Sequence, residues 1–321
     1  MRAVIYEKYG SPNVLELKEV AKSAPKPNEV LIKVHSVSIN DWDWGLLHGK
    51  PFINRMSYGL SKPKKQILGS DVAGVIEQIG SSVTKFKVGD EVFGDLSTTW
   101  GGFAEYVCAT EQVLSLKPTT MSFEQAAAIP QAGLLALQGL YDEGRISSGQ
   151  DVLINGGGGG AGTFAIQIAK SEGALVTAVD HTKKLEAMKA LGADHVIDYT
   201  TEDFTKNKKQ FDLIYDVKTN RSIYDIAQSL KPGGTYVTVG GNTKPLLQAL
   251  LIGKWIKITQ GKNIRILFLK TNKGLDEMIR LFDSGNAKPV IDKIYSLNET
   301  PEAMRRFGES SQCGKIVIKV E

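Results

Sequence analysis

Cysteine is nearly absent from this chain. Cys108 and Cys313 are the only 2 in 321 residues, which rules out a disulfide framework and any C-x-x-C zinc spacing. A reducing compartment follows, and a cytoplasmic location is the expectation. Long apolar runs are missing as well. The most apolar stretch, residues 246–258, is interrupted by Gln248, Gly253, Lys254 and Lys257. A membrane span needs roughly 18 apolar residues, so no span is expected, and the stretch reads as a buried or interface segment rather than a membrane contact. The first residues, Met1-Arg2-Ala3-Val4-Ile5-Tyr6, go straight into a strand-like pattern with no apolar leader, so no signal peptide is expected. Nor does either sign of charge dominate. Lys+Arg 39 against Asp+Glu 35 leaves +4. The short basic groups at Lys62, Lys64 and Lys65 and at Lys206, Lys208 and Lys209 read as solvated loops, and no nucleic-acid partner is expected.

What remains is the composition of a globular protein, 42% hydrophobic and 23% charged. A chain of 321 residues is too long for one ordinary core and suggests two domains. The texture changes near residue 120. Before it, β-branched runs such as residues 30–34, 71–76 and 91–94 are separated by Gly, Pro, Asn and Asp, which suggests a compact barrel-like β domain. After Pro118, helical and strand patterns alternate. Strands are expected at residues 151–154, 175–179, 195–197, 213–215, 236–239 and 264–269. Helices are expected at 123–141, 163–172, 183–191, 223–230 and 274–284. That alternation argues for a parallel doubly wound sheet. The tail from Val290 is β-rich again and reads as a possible return to the first domain.

The chemistry begins at Gly156-Gly157-Gly158-Gly159-Gly160-Ala161-Gly162. This run follows a strand and precedes a helix. Glycine permits a tight turn and lets backbone N–H groups approach a pyrophosphate, which the helix N-terminus also attracts. Two registers fit the dinucleotide fingerprint: Gly157, Gly159 and Gly162, or Gly156, Gly158 and Ala161. Asp180 ends the next strand at the distance expected of an acid that bonds the ribose hydroxyls. Its carboxylate would repel a 2′-phosphate, whereas His181, Lys183 and Lys184 could pair with one. The cofactor is therefore NAD(H) or NADP(H), with Asp180 favouring NAD(H).

Several further segments are distinctive: Ser38-Ile39-Asn40 with Asp43-Trp44; Leu68-Gly69-Ser70-Asp71-Val72-Ala73-Gly74; Lys87-Val88-Gly89-Asp90; Gly101-Gly102-Phe103-Ala104-Glu105-Tyr106; Leu191-Gly192-Ala193-Asp194; Lys231-Pro232-Gly233-Gly234; and Gly314-Lys315. With them, over essentially its whole length, the chain resembles the medium-chain dehydrogenase/reductase superfamily, and within it the zinc-independent quinone oxidoreductase group. The resemblance implies an α/β protein. A GroES-like β-barrel domain would span 1–120, completed by 287–321. A Rossmann doubly wound parallel-sheet domain would span 121–286, with the cofactor in the cleft between them. Gly159, Gly160 and Gly162 match the group's phosphate-binding glycines, which favours the first register.

The resemblance also tests for zinc position by position. Where zinc alcohol dehydrogenases carry a cysteine ligand, this chain has Asn40. Where they carry a His-Glu pair it has Ser70 and Asp71, and where the last cysteine stands it has Ala132. Zinc takes Cys, His or carboxylate ligands, and one Asp without such partners will not hold it. No metal site is expected. Alcohol oxidation is then disfavoured, because no Lewis acid stabilises the alkoxide. A quinone or activated enone delocalises the charge on its own oxygen.

The candidate residues follow from the same resemblance and from the residues themselves. Asn40 is placed near the nicotinamide and ribose, as a hydrogen-bonding or oxyanion-stabilising catalytic residue, or as a turn former after a strand. Asp43 reads as an anchor for that loop. His48 is the one histidine considered as a proton donor, against the alternative of simple packing. Trp42, Trp44 and Gly45 stand where some relatives carry tyrosines. Pro130, Gln131 and Gly133 are placed beside the nicotinamide, and Leu135 replaces a common threonine. Asp216-Val217 and Gly240-Gly241 close strands at the edge where ligands bind, although Lys218-Thr219-Asn220 departs from the usual glycine. Lys184 and Lys315 join Gly157, Gly159, Gly160, Ala161, Gly162 and Asp180 as expected cofactor contacts.

The expected partner is a small-molecule electron acceptor, and a homodimer is left open, with the 246–258 and 264–269 segments able to bury an interface. The alternatives are a non-catalytic NAD(P)H-binding redox sensor or scaffold, and a methyltransferase, against which the β-rich flanks argue.

Overall fold

The computed structural model describes residues Met1 to Val320; Glu321, with which the expected first domain ends, lies outside the described residues. The chain divides into two compact units. One is Met1–Gln131 with the stretch from Ile291 onward, and the other is Ala132–Val290. The boundary read from sequence at 120 and the division at Gln131 differ by one short helix, Phe123–Ala127. Ser122 starts it with a reciprocal capping box to Gln125. Phe123 then stacks on His35 at 4.2 Å between ring centres, which ties the helix to the first unit.

The first unit is built on a seven-stranded sheet in the order Ile291–Ser296, Lys315–Lys319, Glu29–Ser38, Asp71–Ile79, Glu91–Asp95 and Ser115–Leu116, with Tyr106–Thr110 also pairing with Glu29–Ser38. The C-terminal strand does return here, with Val317 opposite Ser38. Glu29–Ser38 is buried along most of its length. It has neighbours on every side, which explains why its sequence shows an apolar run rather than alternation. Val30, Ile32, Val34, Val37, Val72 and Ile316 meet in the unit's main core.

The second unit carries a six-stranded sheet, every pairing parallel, in the order His195–Asp198, Leu175–Asp180, Asp151–Asn155, Phe211–Asp216, Leu230–Thr238, Asn263–Ile266. All six strands expected from sequence are present in this arrangement, the doubly wound α/β fold. Chain order reverses at Asp151–Asn155, which lies between the second and fourth strands, and ligands of open α/β sheets bind at such a switch point.

Two elements depart from the expectation. The single helix read over 123–141 is broken into Phe123–Ala127, Pro130–Gln138 and a π-helical turn at Gly139–Glu143. Pro130 has no N–H and cannot continue the first helix, so it opens the second. The helix expected to start at Thr163 starts at Gly160. The glycines of its first turn are poor helix formers on their own and are held there by packing.

Candidate functional site

Each unit carries one concentration of polar and glycine chemistry. In the second unit it lies at the switch point. Asn155 ends the first strand and Gly156, at φ +83°, turns the chain. The N–H groups of Gly156 and Gly157 both donate to the carbonyl of Val179, at 2.9 and 3.0 Å, and pin the loop to the neighbouring strand. Gly159 is the N-cap of the helix Gly160–Ser171. First-turn N–H groups have no partner within a helix, so those of Gly160, Ala161 and Gly162 point out of its end.

The glycines differ in what keeps them glycine. A Cβ on Gly162 would sit 2.1 Å from the Gly156 carbonyl oxygen and 2.7 Å from Gly157 Cα. The helix can approach the loop only without that carbon. A Cβ on Gly157 would meet Met188 Sδ at 2.8 Å, and one on Gly158 would meet Lys184 Cδ at 2.6 Å. Gly159 is different. Its φ is −85°, open to any residue, and an added Cβ would find only the Gly156 oxygen at 3.4 Å. Ala161 already carries a Cβ and is buried.

Asp180 lies beside this loop and is almost wholly buried. Its Oδ2 accepts the Gly158 N–H at 2.9 Å and its Oδ1 the His181 N–H at 2.8 Å. Lys184 Nζ is 3.4 Å from Oδ1 and buried with it. The lysine expected to meet a phosphate is thus committed to this carboxylate, whereas Lys183 is exposed.

Asp216 proves more deeply embedded than the sequence suggested. It accepts from Asn155 Nδ2 and Tyr236 Oη, both at 2.8 Å, and from the Lys218 N–H at 2.9 Å. Burial raises its pKa against those bonds. Thr219 extends the network to Tyr236 and Thr238. Asp216 therefore ties the ends of the first, fourth and fifth strands together, with its oxygens turned inward. Val217 follows it, its N–H on the Asn155 carbonyl. Gly241, at φ +136°, is fixed by the close approach of Thr219, 2.5 Å from where its Cβ would be. Gly240, at φ +154°, has open space on that side. The Asn155–Tyr236–Thr219–Thr238 network was missed from sequence, since nothing local marks residues so far apart as neighbours.

In the first unit the chemistry centres on a buried ammonium. Lys315 is 4% exposed. Its Nζ donates to the Ile39 carbonyl at 2.9 Å and to Asn40 Oδ1, and lies 3.9 Å from Asp71 Oδ2. The Asn40 amide nitrogen donates to Ser70 Oγ at 3.3 Å. Asp71 also accepts the Gln131 N–H at 3.1 Å, and the Gln131 side chain reaches Asp95. Burial, with Asp95 nearby, pushes the Asp71 carboxyl up to about 8, and burial pulls the Lys315 ammonium down. Asn40, Gln131 and Lys315 are thus brought together, but as one internally satisfied cluster. The Lys315 ammonium faces inward, bonded to the Ile39 carbonyl and to Asn40.

Asn40 caps the helix Asp41–His48. Asp43 Oδ2 returns to the Asn40 N–H and its Oδ1 accepts the Gly69 N–H, both at 2.8 Å. Burial nevertheless raises its carboxyl to about 7. It is the loop anchor expected. His48 ends the same helix, about 12 Å along its axis from Asn40. Its Nδ1 bonds the Trp44 carbonyl at 2.9 Å and its ring lies tilted against that of Trp44, with 4.1 Å between ring centres. Trp44 is wedged against Gly308, where a Cβ would lie 2.1 Å from its ring, so Trp44 is a packing residue. Trp42 is exposed.

The cluster also tests zinc. Asn40 and Ser70 offer an amide and a hydroxyl, which are poor zinc donors, and the Asp71 carboxylate faces a lysine ammonium. A cation held among these donors repels a second one, and the residues present do not fit zinc. Among the described residues no group of three or more His, Cys, Asp or Glu is placed to hold a metal. Cys108 and Cys313 form no disulfide. No helix of the described residues is long and apolar enough to cross a membrane.

With the geometry in hand, comparison with known proteins is specific. Residues 26–119 match the family described as alcohol dehydrogenase GroES-like domain, and residues 191–318 match that described as zinc-binding dehydrogenase. The chain is 34% identical to the 2-methylene-furan-3-one reductase of Solanum lycopersicum, over 99% of this chain and 79% of that protein. It is 31% identical to the chloroplast envelope quinone oxidoreductase homolog of Arabidopsis thaliana, over 99% of this chain and 98% of the other. Among solved structures, the quinone oxidoreductase from Coxiella burnetii superposes with a TM-score of 0.88 at 30% identity, over 100% of this chain and 99% of that one.

Proposed function

The chain belongs to the medium-chain dehydrogenase/reductase superfamily, in its zinc-independent quinone oxidoreductase-like group, and from that premise we propose that it reduces a quinone or an α,β-unsaturated carbonyl with hydride from NADH and needs no metal. One observation carries the reading. Gly159 has no steric reason within the fold to be glycine, yet it sits at a helix N-terminus with unpaired N–H groups, where a pyrophosphate would need the bare backbone. Gly159, Gly160 and Ala161 would hold the phosphates, Gly162 would set the helix close enough to do so, and Asp180 would bond the adenosine ribose. This supports the register of Gly157, Gly159 and Gly162. The bound cofactor supplies a hydride. The chain's own work is to bind and orient, and the zinc-free donor set around Asn40 favours acceptors that carry their own developing charge.

The choice of cofactor rests on Asp180. A 2′-phosphate would bring its negative charge to a buried carboxylate already served by Lys184, and like charges at short range cost several-fold in affinity even when partly screened. The expected kcat/KM ratio of NADH over NADPH is at least about tenfold, and Asp180→Ser should narrow it by about the same factor. A tenfold preference for NADPH in the wild type would remove Asp180 from this role.

The acceptor is tested with benzoquinones, naphthoquinones, linear enones and simple alcohols, each with NADH and NADPH. Turnover is expected on quinones or enones and not on alcohols. Cofactor binding with no turnover on any acceptor would instead favour the sensor, to which the departures at Leu135 and Lys218 point.

A further inference from the structure

Lys218-Thr219-Asn220 departs from the glycine usual after Asp216-Val217, and the fold shows what stands there instead. Lys218 lies against the glycine loop. A Cβ on Gly156 would meet Lys218 Cγ at 3.0 Å and Val217 Cβ at 3.2 Å. Gly156 in turn touches the start of the helix Gly160–Ser171. Its carbonyl oxygen is 2.1 Å from where a Gly162 Cβ would be and 3.4 Å from that of Gly159. The lysine stem, the turn and the helix N-terminus therefore share one edge of the sheet, the edge at which ligands of open α/β sheets bind.

The backbone on both sides of Lys218 is fixed. The Val217 N–H donates to the Asn155 carbonyl at 2.9 Å, the Lys218 N–H to Asp216 Oδ1 at 2.9 Å, and the Thr219 N–H to the Gly240 carbonyl at 3.2 Å. The Thr219 carbonyl accepts the Asn242 N–H at 2.8 Å. The side chain is exposed and enters no ion pair among the described residues. Asp216 does not neutralise it, because the Asp216 oxygens are taken by Asn155, Tyr236 and the Lys218 N–H. Lys184, also beside the loop, is committed to Asp180. An unpaired ammonium is an unfavourable neighbour for a helix N-terminus, where the dipole and the first-turn N–H groups are positive too. Positive features gathered at one edge in this way ask for an anion.

We propose that the Lys218 ammonium pairs with the diphosphate of the bound dinucleotide and completes the phosphate site that the glycine run opens. The inference rests on the cofactor reading above, and it adds a charged side chain to a site otherwise made of backbone. The stem lies along Gly156 while the head stays in solvent, the usual division of a lysine side chain. Its ammonium acts on phosphate as a point charge.

NADH and NADPH binding are followed by cofactor fluorescence, and ADP-ribose and adenosine by displacement of NADH. Lys218→Met keeps the stem and removes the charge. It should weaken NADH, NADPH and ADP-ribose alike by about five- to tenfold, the worth of one exposed charge-assisted bond. Adenosine, which has no phosphate, should bind as before. Lys218→Arg keeps the charge and should stay within about threefold of wild type. In about 0.5 M NaCl the gap between wild type and Lys218→Met should shrink to about twofold, because an exposed pair is screened. A residue that only shaped the loop would change adenosine binding as well and would ignore salt. The unfolding midpoint should not move, since the ammonium has no partner within the fold. If the wild type binds NADH and Lys218→Met binds it equally well, the proposal is overturned while the cofactor reading stands. If the wild type binds neither nucleotide, that reading falls and the proposal with it. A loss confined to NADPH would assign the ammonium to the 2′-phosphate, and a loss shared by adenosine would assign Lys218 a structural role; either overturns the proposal.

Discussion

Above about pH 8, where Asp71 is ionised, Lys315→Met is expected to cost the first unit about 3–5 kcal/mol of stability, the penalty for removing one partner of a buried ion pair. The side chain is of similar length, so little packing is lost. What is lost is a cation that faces Asp71, Asp43 and Asp95, all three buried. It is also a donor to the Ile39 carbonyl and to Asn40. Trp42, Trp44 and Trp100 all lie in this unit. Their fluorescence in a Trp255→Phe background therefore reports its unfolding alone.

The penalty should grow with pH, and the sign follows from proton counting. The Asp71 carboxyl is raised to about 8 in the fold, against roughly 3.9 when unfolded. Between those values the native state holds the extra proton, so stability falls as pH rises. Lys315 lowers the Asp71 pKa, and its removal widens that window upward. The Lys315 ammonium is itself depressed in the fold, so wild-type stability rises with pH through that group's titration, and the variant loses that gain. Both effects make the deficit small near pH 4 and largest above pH 8. Asp71→Asn added to Lys315→Met should recover at least about 1 kcal/mol, since the buried charge left behind is then gone. A deficit below about 1 kcal/mol, or one flat across pH, would show that the cluster is not electrostatically coupled.

Neither that cluster nor its equivalent in the second unit was legible in advance, for a common reason. Asn40, Asp71, Asp95, Gln131 and Lys315 are scattered over nearly the whole chain and meet only because the C-terminal strand pairs with Glu29–Ser38. Sequence placed three of them at a site through family likeness, without showing that they bond one another. Local patterns were read well. The parallel strands have apolar runs bounded by turn residues, and the glycine run announces a tight turn whatever surrounds it. Where two local signals conflict, the reading slipped. The alanine-rich stretch after Phe123 obscured the break at Pro130. By contrast, the run at 246–258 reads as a buried or interface segment, and the run alone does not show which face of the helix Thr243–Gln260 packs inward.

The glycine run offers the sharper experiment, because one added methyl group should give opposite results three residues apart. Gly162→Ala places a carbon 2.1 Å from a backbone oxygen and 2.7 Å from a backbone Cα, and neither can swing away like a side chain. The helix must shift off the loop. A loss of about 1–3 kcal/mol is expected for such overpacking, seen in the unfolding of the second unit, whose one tryptophan is Trp255. NADH affinity should fall with it, since the displaced helix no longer presents its N–H groups at the loop. Gly159→Ala places its methyl in open space, on a backbone of φ −85° and ψ 176° that alanine adopts freely. Stability should stay within about 0.5 kcal/mol of wild type, yet NADH affinity, read by cofactor fluorescence, should fall at least about tenfold as the methyl meets the pyrophosphate. Only a bound dinucleotide separates the two outcomes. If Gly159→Ala binds NADH as the wild type does, the phosphates lie elsewhere and the register of Gly157, Gly159 and Gly162 is wrong. If Gly162→Ala is fully stable, the close approach of helix and loop is not what requires glycine there.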